Sequence, residues 1–282
     1  MRTCRKQGLL CLTLAACLLP IALRAQTRSS EQQGGAPSSA EPASYKHRFE
    51  VTSSDNIVSH GFGHWLVTGV QYSFQPSARG MISGQVLSQT RPGETEQLFG
   101  VRSLLNWTPW FYTDLSVSGG GPDDPLAYFP RFRYDANLNL KIPQLPGLIL
   151  TGGLTRLYFG APNGGRVRRG GAIYYWRRFV FQGLVNFNNV RPGNRKSRSV
   201  NGAAQYGQEG RYWVGLTAGG GREAWQTLGF TPQELEFKSY STSVFLRKWL
   251  APNYGIAIYY GFSEKRTAYH LNGLEARFFF DF

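Results

Sequence analysis

The chain has 282 residues and a formal net charge of +14. Its length allows one large domain or two small ones. All three cysteines (Cys4, Cys11 and Cys17) lie in the first 25 residues, so the rest of the chain can form neither a disulfide nor a cysteine-based metal site. Beyond that segment the basic residues are scattered singly through apolar stretches, which argues against a nucleic-acid-binding stripe.

Residues 1–25 have the pattern of a secretory signal peptide. Arg2, Arg5 and Lys6 precede an apolar run that extends from residue 9 to residue 23. We expect cleavage after Ala25, which would remove four basic residues and leave a net charge of about +10. A lipoprotein signal ending at Cys17 is the alternative, but the apolar run continues past this cysteine.

Residues 26–45 are rich in Ser, Gly, Pro, Gln and Glu and offer almost nothing to bury. This composition is typical of a disordered segment. We therefore predict a disordered periplasmic tether over 26–45, followed by the folded domain over 46–282.

From Lys46 onward no apolar run approaches the length of a membrane-spanning helix, but segments of about ten residues alternate between apolar and polar side chains. Residues 131–142 show this most clearly. One face of this predicted strand carries Phe132, Tyr134, Ala136, Leu138, Leu140 and Ile142, and the other carries Arg131, Arg133, Asp135, Asn137, Asn139 and Lys141. The pattern predicts an all-β fold, a single transmembrane antiparallel up-and-down β-barrel.

The connections between the segments alternate in length. Fourteen candidate strands emerge, within a range of roughly 12 to 16. Short turns are expected near 75–80, 108–110, 143–147, 176–179, 208–211 and 251–253, and long loops near 55–63, 90–95, 119–129, 160–169, 188–199, 222–233 and 263–269. This asymmetry is typical of outer-membrane barrels, and an even strand count places both termini on the periplasmic side.

Aromatic residues make up 15% of the chain, and many fall at the ends of the predicted strands, as interface girdles would require. The last strand has one apolar face that resembles the assembly signal read by the barrel-insertion machinery of outer membranes. The residues of this face are Leu274, Ala276, Phe278, Phe280 and Phe282.

Few residues suggest catalysis or metal binding. His60 and His64 share a predicted loop, but beyond Asp55 they lack nearby carboxylates, so loop histidines are favoured over a metal site. Asp123 and Asp124 fit a turn better than a calcium site. No histidine partner suggests itself for the serines that were considered as nucleophiles, which are Ser59, Ser83, Ser88 and Ser116. We expect no enzyme activity, no metal and no cofactor, with a membrane-embedded, lipase-like hydrolase as the rival.

The polar face of residues 131–141 is the strongest candidate for a functional surface. Arg131, Arg133 and Lys141, with Asp135, Asn137 and Asn139, would form a net basic strip on one wall of the lumen. The strip fits a binding or selectivity surface for anionic or hydroxyl-rich solutes, or equally a salt-bridge network that only stabilises the barrel. Basic residues in the predicted loops 164–169 and 191–196 are expected to contact anionic lipopolysaccharide.

The chain resembles the YaiO family of outer-membrane β-barrel proteins over most of its length beyond Lys46. The resemblance rests on Phe129-Pro130-Arg131-Phe132-Arg133 after a loop rich in Ser, Gly and Asp, on repeated Gly-Tyr pairs, and on the final strand ending in Phe282. It implies a Gram-negative outer-membrane location, an association of some members with polysaccharide synthesis, and no established enzyme activity. Arg131 and Arg133 match the Pro-Arg-x-Arg element of that family.

These observations predict a non-enzymatic outer-membrane barrel, either a narrow channel or a docking point for a sugar polymer or small anionic solutes. Its expected partners are outer-membrane lipid and lipopolysaccharide, the insertion machinery during assembly, and a saccharide or anionic solute, but not nucleic acid. A barrel with a plugged lumen and a structural or surface-interaction role is a second alternative.

Overall fold

The structure is a computed structural model, and only part of the chain is described. The described residues are 46–77, 79–123, 127, 129–161, 163–191, 193–222, 238–265 and 269–282, with only the backbone at 195 and 222. The predicted signal peptide, the tether and the three cysteines lie outside these residues.

The described residues form fourteen antiparallel strands. These are β1 (His47–Val58), β2 (Gly63–Ser77), β3 (Gly80–Arg91), β4 (Glu94–Thr108), β5 (Phe111–Gly119), β6 (Phe132–Lys141), β7 (Leu148–Tyr158), β8 (Gly164–Trp176), β9 (Phe179–Arg191), β10 (Arg195–Gln208), β11 (Tyr212–Arg222), β12 (Lys238–Ala251), β13 (Tyr254–Lys265) and β14 (Tyr269–Asp281). Each strand pairs with its neighbours in sequence, and β1 pairs with β14, which closes the barrel. The predicted fold and strand number are confirmed.

No helix in the described part of the chain is long and apolar enough to cross a membrane.

Alternation along each strand separates an apolar outer wall from a mainly polar interior. On β6, Phe132, Tyr134 and Leu138 point outward and are 49%, 49% and 55% exposed, whereas Asn139 points inward and is buried. A continuous belt of exposed apolar side chains would be unfavourable in water and is the surface that a membrane barrel presents to lipid.

Two segments that alternate poorly in sequence, around 65–74 and 164–176, are ordinary strands. In β2, Trp65 and Val67 point inward and are buried, while Leu66 points outward. In β8, Tyr175 points inward and Trp176 outward. The alternation is obscured in both because large apolar residues also occupy inward positions.

All six short turns lie where the sequence predicts them, at the end of the barrel that also holds His47 and Phe282. We call this end the turn end and the opposite one the loop end. Most predicted long loops are shorter than expected, because strand pairing continues into them, as between Arg91 and Glu94 or Gly164 and Arg191. Only the connections 120–131 and 223–237 are long, and the second lies outside the described residues.

The first and last strands are joined along most of their length, from Arg48 opposite Asp281 to Val58 opposite Leu271. On the predicted assembly face of β14, Leu274, Ala276 and Phe278 point outward and are exposed, whereas Phe280 and Phe282 are half-buried. The ring of Phe282 stacks on His47, with ring centres 5.2 Å apart. The outer face of β14 therefore continues the apolar belt across the closure of the barrel.

Candidate lumen site

The barrel encloses a polar cavity of about 370 Å³ between β3 and β10. Four residues of the predicted strip on β6 line it: Arg133, Asp135, Asn137 and Asn139. Strands β3, β5, β7, β9 and β10 contribute hydroxyl and amide side chains to the wall, which are Ser83, Gln85, Ser116, Ser118, Thr151, Gln182 and Gln205.

Two residues predicted for this strip lie elsewhere. The expectation that Arg131 lines the lumen is wrong, because β6 begins only at Phe132. Arg131 belongs to the preceding loop, where its guanidinium forms an ion pair with exposed Asp123. Lys141 is exposed at the turn end, with Nζ 5.7 Å from the centre of the Tyr112 ring, and it is not among the residues lining the cavity.

Asp135 is the centre of a polar network on the cavity wall. Its carboxylate accepts hydrogen bonds from Arg133 Nε at 2.6 Å, from Arg169 Nη2 at 3.3 Å and from the hydroxyl of Thr155. The hydroxyl of Ser116 also donates to it, at 3.3 Å. One carboxylate thus accepts hydrogen bonds from two guanidinium groups in a confined interior, where a charged group without such a partner would be costly.

A second pair lies beside this network. Arg102 Nε and Nη2 donate to the two carboxylate oxygens of Asp114, each at 2.8 Å, in the bidentate geometry that suits arginine and carboxylate. Because Arg102 and Asp114 cancel, and Asp135 cancels one of its two arginines, the five groups together carry one net positive charge. The wall is less basic than the sequence suggests.

Arg169 is a lumen residue, although the sequence predicts it in an outward loop. The expectation is wrong because β8 begins at Gly164, so position 169 falls on the inward face of the strand. Gly153 on β7 leaves room for it, since a Cβ there would lie 2.2 Å from Asn137 Oδ1 and 3.1 Å from Arg169 Cγ. The sequence offers one indication of this inward position, because a charged residue within a membrane strand needs an oppositely charged partner.

Apolar residues border the cavity towards the turn end. The turn-end cluster comprises Leu104, Tyr112, Ile149 and Tyr175, with Met81, Ile173 and Val180 packed against it. Both tyrosine rings line the cavity, so it offers aromatic faces beside amides, hydroxyls and paired charges. Saccharides can stack on such faces while their hydroxyls are hydrogen-bonded.

The connection between β5 and β6 enters the mouth of the barrel at the loop end. Phe129 is fully buried against the inward-facing Leu87 and Leu98, and its backbone N–H donates to a carboxylate oxygen of Glu96 at 2.8 Å. Gly121 packs on this segment so closely that a Cβ would lie 2.0 Å from the carbonyl oxygen of Phe129. The predicted long loop is therefore partly an internal plug, which we call the Phe129 loop.

A second cluster fills the lumen beside the barrel closure at the turn end. Arg48 on β1 donates to Asp281 on β14 at 3.0 Å and reaches Glu209 in the β10–β11 turn at 3.3 Å. Arg247 forms an ion pair with Glu50, and both Arg48 and Arg247 lie over the ring of fully buried Phe279. This terminal cluster joins the first strand to the last and to a turn across the lumen.

The candidate histidines His60 and His64 belong to two separate pairs at the loop end. His64 Nδ1 lies 3.0 Å from both carboxylate oxygens of Asp55, and Ser59 Oγ lies 2.8 Å from His60 Nδ1. No hydrogen bond among the described residues connects one pair to the other. Within the described part of the chain, no three His, Cys, Asp or Glu side chains converge as a metal site would require. Asp123 pairs with Arg131, and Asp124 is outside the described residues.

The other basic residues predicted to face outward lie on three strands, β8, β9 and β10. Arg166 and Arg168 lie on the outer face of β8, on the side of the strand opposite Arg169. Arg191 and Lys196 lie at the loop ends of β9 and β10 and are exposed. Arg166 and Arg191 line the groove described below, whereas the Arg195 side chain is outside the described part.

Comparisons with known proteins agree with the barrel. The family model described as the YaiO membrane beta barrel domain matches residues 46–226. No curated protein sequence matches the chain. Among solved structures, a bacterial polysaccharide outer membrane secretin aligns with a TM-score of 0.54 at 8% identity, covering 84% of this chain and 98% of that one.

A second solved structure is the outer membrane protein Omp33 of Acinetobacter baumannii, with a TM-score of 0.48 at 12% identity and coverage of 84% and 98%. At these identities a structural match shows only the fold. The family match extends over more than half of the chain and includes the lumen strip and the Phe129 loop. The chain therefore belongs to the YaiO family of outer-membrane β-barrel proteins.

Proposed function

We propose that the protein is a non-enzymatic outer-membrane barrel that admits small hydroxyl-rich or anionic solutes, of which saccharides are the favoured class, into its lumen. The observation that carries this proposal is the internal cavity, whose wall combines amides, hydroxyls, arginine–aspartate pairs and tyrosine rings. Such groups bind hydroxyl-rich molecules through many directional hydrogen bonds, and the single net positive charge favours anions weakly.

The Phe129 loop supports a gated site in preference to a wide pore. Phe129 is buried against Leu87 and Leu98 at the loop-end mouth, and the terminal cluster lies at the opposite end beside the barrel closure. The start of β1, residue Phe282 and the short turns share one end, so we propose that this end is periplasmic and the loop end external. Solutes would then enter from outside past Phe129.

The solved polysaccharide secretin has a similar fold, but its cargo cannot be transferred to this chain on the fold alone. The paired charges would also stabilise a barrel that only serves as a scaffold. A functional test must therefore act on a lumen charge without disturbing the outside of the barrel.

Arg133 and Arg131 offer a matched test, since they lie two residues apart but only Arg133 lines the cavity. Single-channel current of the refolded protein in a planar bilayer would be measured under a salt gradient. We expect Arg133→Ser to shift the reversal potential towards cation selectivity, because it removes the net positive charge of the wall, and Arg131→Ser to leave it near the wild-type value.

Addition of an acidic oligosaccharide should reduce the wild-type current reversibly and the Arg133→Ser current less. Equal selectivity and equal block in both variants would contradict a role for the lumen wall. A protein that neither conducts nor binds the oligosaccharide would contradict the proposal as a whole and favour the scaffold.

A further inference from the structure

Six basic side chains project outward from four consecutive strands near the loop end. This outer basic patch comprises Arg156 on β7, Arg166 and Arg168 on β8, Arg191 on β9, and Lys196 and Arg198 on β10. They share the outer face with exposed apolar residues of the same strands, such as Leu154, Phe187 and Val200. The patch therefore lies on the wall of the barrel and is separate from the lumen site.

The strand register places these charges side by side. Arg156 is directly opposite Arg166, and Arg166 is followed across the sheet by Asn189 and then Lys196. A second row runs from Arg168 through Phe187 to Arg198, whose guanidinium lies 5.4 Å from the centre of the Phe187 ring. Like charges on directly opposed strand positions repel each other and destabilise the sheet unless a counter-charge is present.

The described residues supply no such counter-charge. None of the six groups forms an ion pair with another described residue, and Asp123, the acid lining the same groove, is engaged by Arg131. Elsewhere among the described strands, the outward side chains near the loop end are mixed in charge, as with Asp55, His64 and Glu264. The basic character is thus confined to one sector of the outer wall.

A groove of about 570 Å³ lies within this sector. Arg156, Arg166 and Arg191 line it together with Asn189 and Tyr158. The hydroxyl of Tyr158 accepts a hydrogen bond from Arg156 Nη1 at 3.0 Å, which orients that guanidinium. Guanidinium groups arranged around a groove bind phosphate in bidentate fashion.

From the patch, the groove and the adjoining apolar belt, we infer that this sector binds the phosphate groups of an anionic lipid in the leaflet at the loop end. The apolar wall towards the turn end, with Leu154, Val185 and Phe187, would contact the acyl chains while the arginines bind the phosphates. In the orientation proposed above, the lipid is lipopolysaccharide. The lipid compensates the repulsion between Arg156 and Arg166, which no described residue does.

The test uses the folded protein in neutral detergent micelles, so that it does not depend on the orientation of the barrel or on conduction. Lipopolysaccharide would be titrated and the retained lipid counted by native mass spectrometry. We expect R156S/R166S to weaken binding by about 10-fold to 30-fold. The control R79S/K248S removes two charges from the turn end and should change binding by less than about 2-fold.

Dephosphorylated lipopolysaccharide should bind the wild-type protein about 10-fold to 30-fold more weakly than the intact lipid does. This comparison uses only the wild-type protein. It therefore tests the inference even if heat-modifiable migration shows that the double variant does not fold. Equal binding of intact and dephosphorylated lipid would overturn the inference. If inorganic phosphate bound as tightly as the lipid, the ligand would be phosphate alone and the lipid assignment would be wrong.

Discussion

Asp135 is a single carboxylate shared by two arginines in a confined lumen. Arg133 and Arg169 both donate to it, and their side chains and that of Asp135 are only about a tenth exposed. Asp135→Asn would leave two guanidinium groups facing a neutral amide, so we expect the free energy of unfolding to fall by about 3 kcal/mol. Urea-induced unfolding in lipid vesicles, followed by tryptophan fluorescence, measures this loss.

Asp114→Asn is the matched control, because Arg102 is the one described residue that donates to Asp114, and both side chains are more exposed, at 21% and 31%. Solvent screens that pair, and we expect a loss of about 1 kcal/mol or less. Comparable losses in the two variants would indicate that the shared carboxylate at Asp135 has no special role in the barrel.

The sequence predicted which face of β6 is polar, because period-two alternation fixes the faces wherever a strand is regular. It could not predict the partner of Asp135. Arg169 is 34 residues away in the chain, and its inward position depends on the start of β8 at Gly164. Arg131 was misplaced for the same reason, since the start of β6 one residue later puts it in a loop.

At the level of structural elements, the Phe129 loop is a connection that folds back into the barrel. Its anchors include the buried ring of Phe129 against Leu87 and Leu98 and the backbone hydrogen bond from Phe129 to Glu96. Phe129→Ala removes the ring from the mouth, and we expect larger and noisier single-channel currents with an unchanged strand content by circular dichroism. Current indistinguishable from wild type would show that the ring does not limit passage.

Loop lengths were the least accurate part of the sequence analysis. Turn-forming residues mark where a strand could end. The pairing of neighbouring strands nevertheless continues past them, as between Thr90 of β3 and Thr95 of β4. The inward course of the Phe129 loop was also not predicted, because it depends on contacts with β3 and β4 that are distant in sequence. The turn-end connections were predicted well, since short hairpins are set by local residues.

At the scale of the whole molecule, the barrel closes where β1 meets β14, and adjacent phenylalanines of β14 face opposite environments there. Phe279 points into the lumen, is fully buried, and has its ring centre 5.0 Å from that of Trp249. Phe280 points to the outer wall, where its ring centre is 5.8 Å from that of Phe282. We therefore predict that Phe279 contributes mainly to the stability of the closed barrel and Phe280 mainly to its recognition during assembly.

We expect Phe279→Ala to lower the free energy of unfolding by about 3 to 5 kcal/mol, because it leaves a cavity beneath Arg48 and Arg247. Phe280→Ala loses contact with lipid, which can refill the space, so the cost should be about 1 to 2 kcal/mol. Assembly catalysed by the insertion machinery should instead slow more in Phe280→Ala, since this ring belongs to the predicted recognition face. Unfolding in vesicles measures the loss of stability, and the time course of heat-modifiable folding measures the rate of assembly. If the same variant showed both the larger loss of stability and the slower assembly, the two roles would not be separate.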